Sequence, residues 1–367
     1  MNIPVTQRDV FTTSLLDAPV RLRGLGTAVP DHLLPQDLVQ QSAKRILGEH
    51  YPDFDRLSKT FSTSGVQQRY SAVPFEWFEE PKSWPERTDA YLKGATKLFI
   101  DATNKALEES GMSAGEIDVI VTVSSTGIAT PTLEARAMEE LGFRRDVKRV
   151  PVFGLGCAGG VSGLSIATQL AKGMAGANVL MVAVETCSLS FRSDRMQKAD
   201  IIATVLFGDG AAAAILSSGQ GDGPILGAGA EYTWPDTLSI MGWDVDKEGL
   251  GVVFDRSIPA FALKHFREAM EAGFKAGLLK ETDVTRLICH PGGAKVVEAI
   301  EHSMNLDEGT LGHERDVLRD FGNMSAPTAL FVLDRVMRDK PEGQMMLAAL
   351  GPGFTASTLP ILFEGQS

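Results

Sequence analysis

The amino-acid sequence predicts an α/β fold made of two related halves. Strand-like and helix-like stretches alternate along its 367 residues, which is typical of sheets covered by helices. Both halves repeat one pattern of helix, glycine stop, apolar strand and small-residue turn. The 37 glycines are concentrated in short patches at such turns, where ligands of α/β sheets commonly bind. We therefore expect these turns to line a functional site.

The first half contains three predicted helices and three predicted strands. Apolar residues at helical spacing predict helices over residues 87–110, 133–143 and 161–175. Gly111 follows the first of these helices as its stop signal. Runs of β-forming apolar residues predict strands over residues 117–123, 149–153 and 178–184, the last two of them buried.

The second half repeats this order. A helix over 261–276 stops at Gly277 and precedes a strand over 285–289, and a further helix covers 294–303. Residues 224–251 have the composition of a connection between the halves. We place the two halves at residues 1–225 and 226–367.

Charge and composition exclude several classes of protein. A net charge of −12 opposes non-specific nucleic-acid binding, which depends on Lys and Arg neutralising phosphates. No apolar run reaches the roughly 18 residues of a membrane span, and the N-terminal segment has no apolar stretch of signal-peptide length. Three cysteines fit a reducing compartment rather than a disulfide scaffold. We therefore expect a cytoplasmic enzyme with no nucleic-acid partner.

Three polar residues follow predicted strands or precede predicted helices. Cys157 lies in the string GLGCAGG, where the N-terminus of the next helix would favour a thiolate and offer N–H donors. His290 follows a strand in HPGG and is a candidate base for a cysteine nucleophile. Asn323 precedes a helical run. Taken singly, they are equally compatible with a buried core thiol, a structural histidine and a helix-capping residue.

Together these strings resemble the type III polyketide synthases, the chalcone-synthase-like branch of the thiolase superfamily. The resemblance extends from Leu22 to the C-terminus and includes five motifs: GCAGG, LFGDGAAA, HPGG, GNMS and GPGFT. It implies a thiolase-like five-layered αβαβα fold built from two pseudo-duplicated halves. It also implies acyl-CoA and malonyl-CoA as substrates, with no metal and no cofactor.

The resemblance assigns the chemistry to three residues. Cys157 would attack an acyl-CoA thioester, and His290 would hold Cys157 as a thiolate in an imidazolium–thiolate pair. Decarboxylation of malonyl-CoA would generate an enolate, whose oxygen would accept hydrogen bonds from His290 and Asn323. The enolate would then extend the acyl chain on Cys157.

Further residues match the family's CoA tunnel and cavity. Phe207 matches a gatekeeper phenylalanine between the two. Arg56 and Lys59 match two of three tunnel-mouth cations, whereas Thr63 replaces the third, and Lys295 is a candidate substitute beside Gly292 and Gly293. An exposed charge without a ligand is the alternative for each cation.

Six more positions belong to the expected cavity. Ser125, Glu185 and Ser325 match a hydroxyl–carboxylate network linked to aldol ring closure. Cys187 and Ser190 stand where chalcone synthases carry threonine, and Val252 stands where they carry a second gatekeeper phenylalanine. Smaller side chains would leave room for a long acyl starter, although repacking is an alternative.

Strings around these motifs are most similar to bacterial alkylpyrone and alkylresorcinol synthases. We predict a medium- or long-chain acyl-CoA starter and triketide or tetraketide α-pyrone products. Alkylresorcinol formation by aldol cyclisation, a ketoacyl-synthase-like single condensation, hydroxymethylglutaryl-CoA synthesis and a non-catalytic binding protein are the alternatives. The resemblance also implies a homodimer, but Thr130 replaces the methionine through which chalcone synthases reach the partner's cavity.

Overall fold

A computed structural model describes residues 18–47, 54–192, 197–219 and 221–365. The strands are β1 (Val20–Ala28), β2 (His32–Pro35), β3 (Gln68–Ser71), β4 (Val119–Val123), β5 (Lys148–Val152), β6 (Asn178–Thr186), β7 (Asp209–Ser218), β8 (Ile225–Leu226), β9 (Ala230–Thr233), β10 (Met241–Asp246), β11 (Gly249–Phe254), β12 (Val284–Cys289), β13 (Gly343–Gly351) and β14 (Thr355–Phe363). The helices are α1 (Gln36–Leu47), α2 (Phe54–Thr63), α3 (Trp84–Ser110), α4 (Leu133–Leu141), α5 (Gly159–Gly173), α6 (Lys198–Leu206), α7 (Ile258–Ala276), α8 (Ala294–Met304), α9 (Gly312–Phe321) and α10 (Thr328–Arg338).

A ten-stranded mixed sheet runs through the molecule. Its strand order is β12-β13-β14-β8-β1-β7-β6-β4-β5, with β9 also paired to β14. Two separate two-stranded antiparallel sheets are formed by β2 with β3 and by β10 with β11, of which β10 and β11 are a hairpin. The predicted boundary after residue 225 falls between the two residues of β8. Because β8 pairs with both β1 and β14, it joins the strands of the two halves.

Successive strand residues point into different cores, and this alternation builds the layers. Val121 of β4 and Leu347 of β13 share a central core with helices α5 and α10. Ile120 of β4 packs on the opposite face against α3 and α4. Met346 of β13 packs away from the centre against α7 and α8. Helices therefore cover both outer faces and fill the middle, and the expected five-layered αβαβα fold is confirmed.

Two predictions about individual elements are wrong. The strand predicted over 149–153 is not buried: β5 ends the sheet, and none of its residues is buried. An apolar run does not reveal whether a strand lies at the centre or at the edge of a sheet. Residues 224–251 are more than a connection, since they contain β8, β9, β10 and the start of β11. The hairpin formed by β10 and β11 forms part of the site described below.

Helix α5 approaches the rest of the molecule closely at its first turn. A Cβ on Gly160 would lie 2.1 Å from the carbonyl oxygen of Ala326, in the loop before α10. Because Gly160 carries only a hydrogen at this position, α5 can begin directly against the loop that carries Asn323.

Among the described helices, none is both long enough and apolar enough to cross a membrane.

Candidate active site

Cys157 lies in a short helical turn, Gly156–Ala158, at the start of α5, and its side chain is buried. Gly156 adopts a φ of +49°, and a Cβ there would lie 2.7 Å from Pro352, so this turn requires glycine. The backbone N–H groups of Gly154 and Gly156 donate to Ser125 Oγ at 3.2 Å each. The turn is thereby fixed against the strand end that carries Ser125.

Asn323 connects Cys157 to the turn that follows His290. Its side-chain Oδ1 accepts a hydrogen bond from Ser325 N at 2.8 Å and lies 3.9 Å from Cys157 Sγ. Its Nδ2 donates to the carbonyl oxygen of Gly292 at 3.2 Å. An amide nitrogen carries two hydrogens, so this bond leaves the second hydrogen of Nδ2 for a ligand.

His290 directly follows β12 and is 4% exposed. Its backbone N–H donates to Ala348 O at 2.9 Å, whereas neither ring nitrogen has a hydrogen-bond partner among the described residues. Unpaired polar atoms this deeply buried are uncommon and typical of groups that act on a ligand. The ring therefore keeps its donor and its acceptor for chemistry.

Burial acts against charge on both groups. It lowers the pKa of His290 to about 3. It also raises the pKa of the Cys157 thiol to about 11, although hydrogen bonds with the Ser325 and Asn323 side chains lower that pKa in part. The expected imidazolium–thiolate pair is therefore not the form that burial favours, because desolvation penalises each charge. In this structure the favoured pair is a neutral thiol and a neutral imidazole.

Two cavities meet at Phe207. The first surrounds Cys157, and its other lining residues include Ser125, Met241, Trp243, Val252, Phe254, Ser325 and Pro352. The second has a volume of about 70 Å³ and is bordered mainly by apolar side chains. Its walls include Leu34, Val39, Ala43, Ile46, Phe75, Phe78, Cys187, Ser190 and Phe191. Phe207 lines both, which places the predicted gate between the nucleophile and the apolar cavity.

A second phenylalanine lies beside Phe207. Val252 is buried in the wall of the Cys157 cavity, but Phe254, two residues later, supplies a second aromatic ring. Phe254 packs edge-on against Phe207, with ring centroids 6.4 Å apart. The gate therefore retains two phenylalanines, although Val252 occupies the position compared in the sequence.

Trp243 is a cavity residue that sequence reasoning did not identify. It lies on β10, lines the Cys157 cavity and donates its indole N–H to Ser125 O at 2.8 Å. The alternation of Met241, Trp243 and Val245 in this strand was a usable sequence signal. The position of the hairpin over the cavity depends on tertiary packing, which that alternation does not show.

Glu185 and Ser125 hold the loop after β4. Glu185 is fully buried and accepts hydrogen bonds from Ser125 N at 2.9 Å and from Thr126 N at 3.0 Å. It also accepts one from Thr126 Oγ1 at 2.7 Å. Burial nevertheless raises the pKa of Glu185 to about 7. These contacts anchor the backbone beside Cys157, whereas Ser325 contacts the thiol directly.

The predicted CoA-binding cations lie on two helices, α2 and α8, and the C-terminal end of α2 meets the start of α8. Arg56 and Lys59 are exposed on α2, and Lys295 is exposed in the first turn of α8. The two ends are joined where the N–H of Ala294 donates to Ser64 O at 3.4 Å. Gly292 and Gly293 precede α8, and the carbonyl oxygen of Gly292 is already bonded to Asn323. Helix N-termini and cations both favour phosphate groups.

Comparisons with known proteins identify relatives along nearly the entire chain. The family model "Chalcone and stilbene synthases, N-terminal domain" matches residues 14–220, and the corresponding C-terminal model matches residues 227–362. The 1,3,6,8-tetrahydroxynaphthalene synthase of Streptomyces peucetius subsp. caesius is 33% identical, with 97% of this chain and 98% of the relative covered. The enzyme of the same name from Streptomyces coelicolor is 28% identical, with 90% and 88% covered.

Solved structures show the same fold. The crystal structure of 1,3,6,8-tetrahydroxynaphthalene synthase from Streptomyces coelicolor, described as a bacterial type III polyketide synthase, matches with a TM-score of 0.88. It is 26% identical and covers 94% of this chain and 100% of its own. PKS-I from the brown alga Ectocarpus siliculosus matches with a TM-score of 0.87 at 23% identity, over 94% and 98% of the two chains.

Proposed function

The chain belongs to the chalcone and stilbene synthase family of type III polyketide synthases, and we propose that Cys157, His290 and Asn323 perform its decarboxylative condensations. Enzymes of this family are condensing acyltransferases that use acyl-CoA and malonyl-CoA. The proposal is supported by the contacts of the Asn323 side chain with the Cys157 thiol and with the turn after His290. Oδ1 of Asn323 lies 3.9 Å from Cys157 Sγ, and its Nδ2 bonds to the turn after His290.

In the loading step, Cys157 Sγ attacks the carbonyl carbon of the starter thioester. His290, neutral because of its burial, accepts the thiol proton through its free ring nitrogen. The carbon–sulfur bond to CoA then breaks, and the departing CoA sulfur takes that proton. The starter is left as a thioester on Cys157, and His290 is neutral again.

In the condensation step, malonyl-CoA loses its carboxylate as carbon dioxide. The electron pair of the broken carbon–carbon bond moves to the thioester oxygen and forms an enolate. The N–H of neutral His290 and the second N–H of Asn323 Nδ2 donate to that oxygen. The enolate carbon attacks the acyl carbonyl, and Cys157 Sγ leaves as a thiolate. That thiolate accepts the lengthened chain from CoA, whose sulfur takes a proton from solvent.

We propose a medium- or long-chain acyl starter. The observation that carries this proposal is the apolar cavity beyond Phe207, whose walls include Leu34, Ile46 and Phe191. Burial of an acyl chain there contributes about 0.8 kcal/mol per CH₂ group. A malonyl starter, which carries a carboxylate, would gain nothing from such walls.

We propose lactone closure to α-pyrones, with aldol closure to alkylresorcinols as the second candidate. Lactone closure is favoured because the Glu185 carboxylate already accepts bonds from Ser125 N and from Thr126. The hydroxyl oxygen of Ser125 likewise accepts two backbone N–H groups. Groups occupied in this way are poorly placed to activate a water for thioester hydrolysis before an aldol closure.

We also propose that CoA phosphates bind to Arg56, Lys59 and Lys295, beside Gly292 and Gly293. The exposed cations lie on α2 and on the first turn of α8, and they would counter the net charge of −12 locally.

A second copy of the chain is the proposed protein partner. Ile128 and Phe153, which are 56% and 57% exposed, border one cavity beside Thr132 and edge strand β5. A partner there would bury two large apolar side chains.

The function is tested with malonyl-CoA and a starter series from acetyl-CoA to palmitoyl-CoA, with products identified by mass spectrometry. We expect α-pyrones with medium- and long-chain starters, and none from Cys157→Ala. Ala43→Phe, in the wall of the apolar cavity, should shift the preferred starter to shorter chains. Leu38→Phe, on an exposed position of the same helix, should leave the profile unchanged.

Other products would overturn particular parts of the proposal. A product formed chiefly from malonyl-CoA alone would contradict the acyl starter, and 1,3,6,8-tetrahydroxynaphthalene itself would match the names of the Streptomyces relatives. Alkylresorcinols as the main product would contradict lactone closure. An unchanged starter profile in Ala43→Phe would exclude the apolar cavity as the site of the acyl chain.

A further inference from the structure

The Arg69 guanidinium is buried beneath the gate and holds the end of α6. Arg69 lies on β3 and is 2% exposed. One Nη donates to Val205 O at 2.8 Å and the other to Phe207 O at 3.2 Å. Thr204 O and the side chain of Gln36 accept further bonds from the same group. The guanidinium thus satisfies carbonyls at a helix C-terminus, where backbone oxygens lack partners within the helix.

The segment that Arg69 holds also fixes the backbone of Asn323. Leu206 O accepts a hydrogen bond from Asn323 N at 2.7 Å, and Gly208 N donates to Asn323 O at 3.0 Å. Phe207, between them, forms an isolated parallel bridge with Asn323. A shift of residues 206–208 would therefore move the gate ring and the Asn323 amide together.

We propose that Arg69 is a positioning residue that sets the place of both Phe207 and the Asn323 amide. This inference rests on the proposed roles of those two residues in the condensation. Arg69 touches neither the nucleophile nor the thioester in that mechanism, and it acts through the carbonyls at the end of α6. It also lines the apolar cavity, so the wall that would contact a starter chain is part of the support of the gate.

A fixed negative charge stabilises the guanidinium in this place. Asp209 attracts Arg69 electrostatically, and its carboxylate is itself held by Ala72 N at 2.7 Å and by Ser188 N at 2.7 Å. Burial lowers the pKa of Arg69 to about 9, so the group stays charged at neutral pH. A planar guanidinium can donate to several carbonyls at once, whereas a lysine ammonium has three donors and no planar fork.

Arg69→Gln and Arg69→Lys test the proposal, with Arg315→Gln as the matched control. Arg315 forms a two-point ion pair with Glu301 outside the site. For each folded variant, we would measure kcat for malonyl-CoA decarboxylation, the rate of Cys157 alkylation by iodoacetamide and the starter profile. We expect Arg69→Gln to lower kcat at least tenfold and broaden the starter profile, with the alkylation rate within twofold of wild type. Arg69→Lys should restore part of kcat, and Arg315→Gln should change none of the three.

The alkylation rate distinguishes positioning from a general loss of structure, because the Cys157 turn is held by Ser125 rather than by Arg69. An unchanged kcat in Arg69→Gln, or a parallel loss of kcat and alkylation, would overturn the proposal. Asn323→Ala is assayed beside these variants. Normal decarboxylation in Asn323→Ala would instead contradict the role of Asn323 in the proposed function. Slow decarboxylation in Asn323→Ala with normal decarboxylation in Arg69→Gln would contradict the positioning role alone.

Discussion

Desolvation raises the pKa of the Cys157 thiol and lowers the pKa of the His290 imidazole, and both shifts leave the side chain uncharged. A buried thiol keeps its proton, and a buried imidazole does not gain one. Neutral His290 then has one lone pair and one N–H. The lone pair accepts the proton of Cys157 during loading, and the N–H donates a hydrogen bond to the enolate oxygen during condensation. A single uncharged ring is therefore suited to both steps without titrating between them.

The charge state of His290 predicts how stability changes with pH. Its pKa in the folded protein, about 3, lies below the value of about 6.5 for an unfolded chain. Folding is therefore favoured by the neutral ring above pH 6.5, and this contribution is lost as the pH falls from 6.5 towards 3. Between pH 6.5 and 5, the wild type should lose about 2 kcal/mol more free energy of unfolding than His290→Gln.

Urea unfolding at several pH values measures this difference, with His302→Gln, an exposed substitution on α8, as the control. His302→Gln should follow the wild type. Equal losses in the wild type and in His290→Gln would mean that folding does not lower the pKa of His290, and a smaller loss in the wild type than in His290→Gln would mean that His290 is already charged in the folded protein. That outcome would restore the imidazolium–thiolate pair that the sequence resemblance implies.

At the scale of single elements, helix α5 offers a matched pair of glycines. Gly160, in its first turn, faces Ala326 O, whereas Gly173 at its end has no atom near the position of a Cβ. Gly160→Ala should lower the free energy of unfolding by about 1–3 kcal/mol, because the new methyl group displaces the loop before α10. Gly173→Ala should raise it by about 0.4–1 kcal/mol through a less flexible unfolded chain.

Chemical denaturation and condensation assays of the two variants check this prediction. Since the displaced loop contains Asn323, Gly160→Ala should also lose condensation activity, and Gly173→Ala should not. If both variants were equally stable, the close approach of α5 to Ala326 would not describe the protein in solution.

The helices and strands differ in how well local sequence predicts their bounds and their positions in the fold. Helix α3 was expected from residue 87, but Ser83 and Glu86 form a capping box that starts it at Trp84. That signal was present in the sequence, three residues apart. By contrast, the edge position of β5 was not available from local sequence, since neighbours in a sheet are distant along the chain. Phe254 was missed for the same reason, because its contact with Phe207 depends on how the β10–β11 hairpin packs.

The sequence predicts the three site residues better than it predicts the walls of the cavities around them. Cys157, His290 and Asn323 were named from turn motifs, and the structure brings the Asn323 side chain to both the thiol and the turn after His290. Short glycine-rich strings predict such a site because few other residues fit where two backbone segments approach closely. The cavity walls are less constrained, since many apolar side chains fill one volume equally well.

At the scale of the whole molecule, the exposed edge of β5 predicts self-association. We expect analytical ultracentrifugation to give twice the chain mass of 39.4 kDa. Phe153→Lys should give the monomer, because a buried ammonium opposes an apolar interface. Leu238→Lys, at an 83% exposed position, should remain dimeric. A monomeric wild type, or a dimeric Phe153→Lys variant, would place any interface elsewhere or exclude one.

The two residues of β8 have a consequence for the behaviour of the enzyme under stress. Cys157 belongs to the first half of the chain, whereas His290 and Asn323 belong to the second, and β8 hydrogen-bonds to strands of both. Neither half contains the three residues by itself. Turnover therefore depends on the contact between the halves: mild denaturant that separates them would expose the central core that both share and would abolish activity.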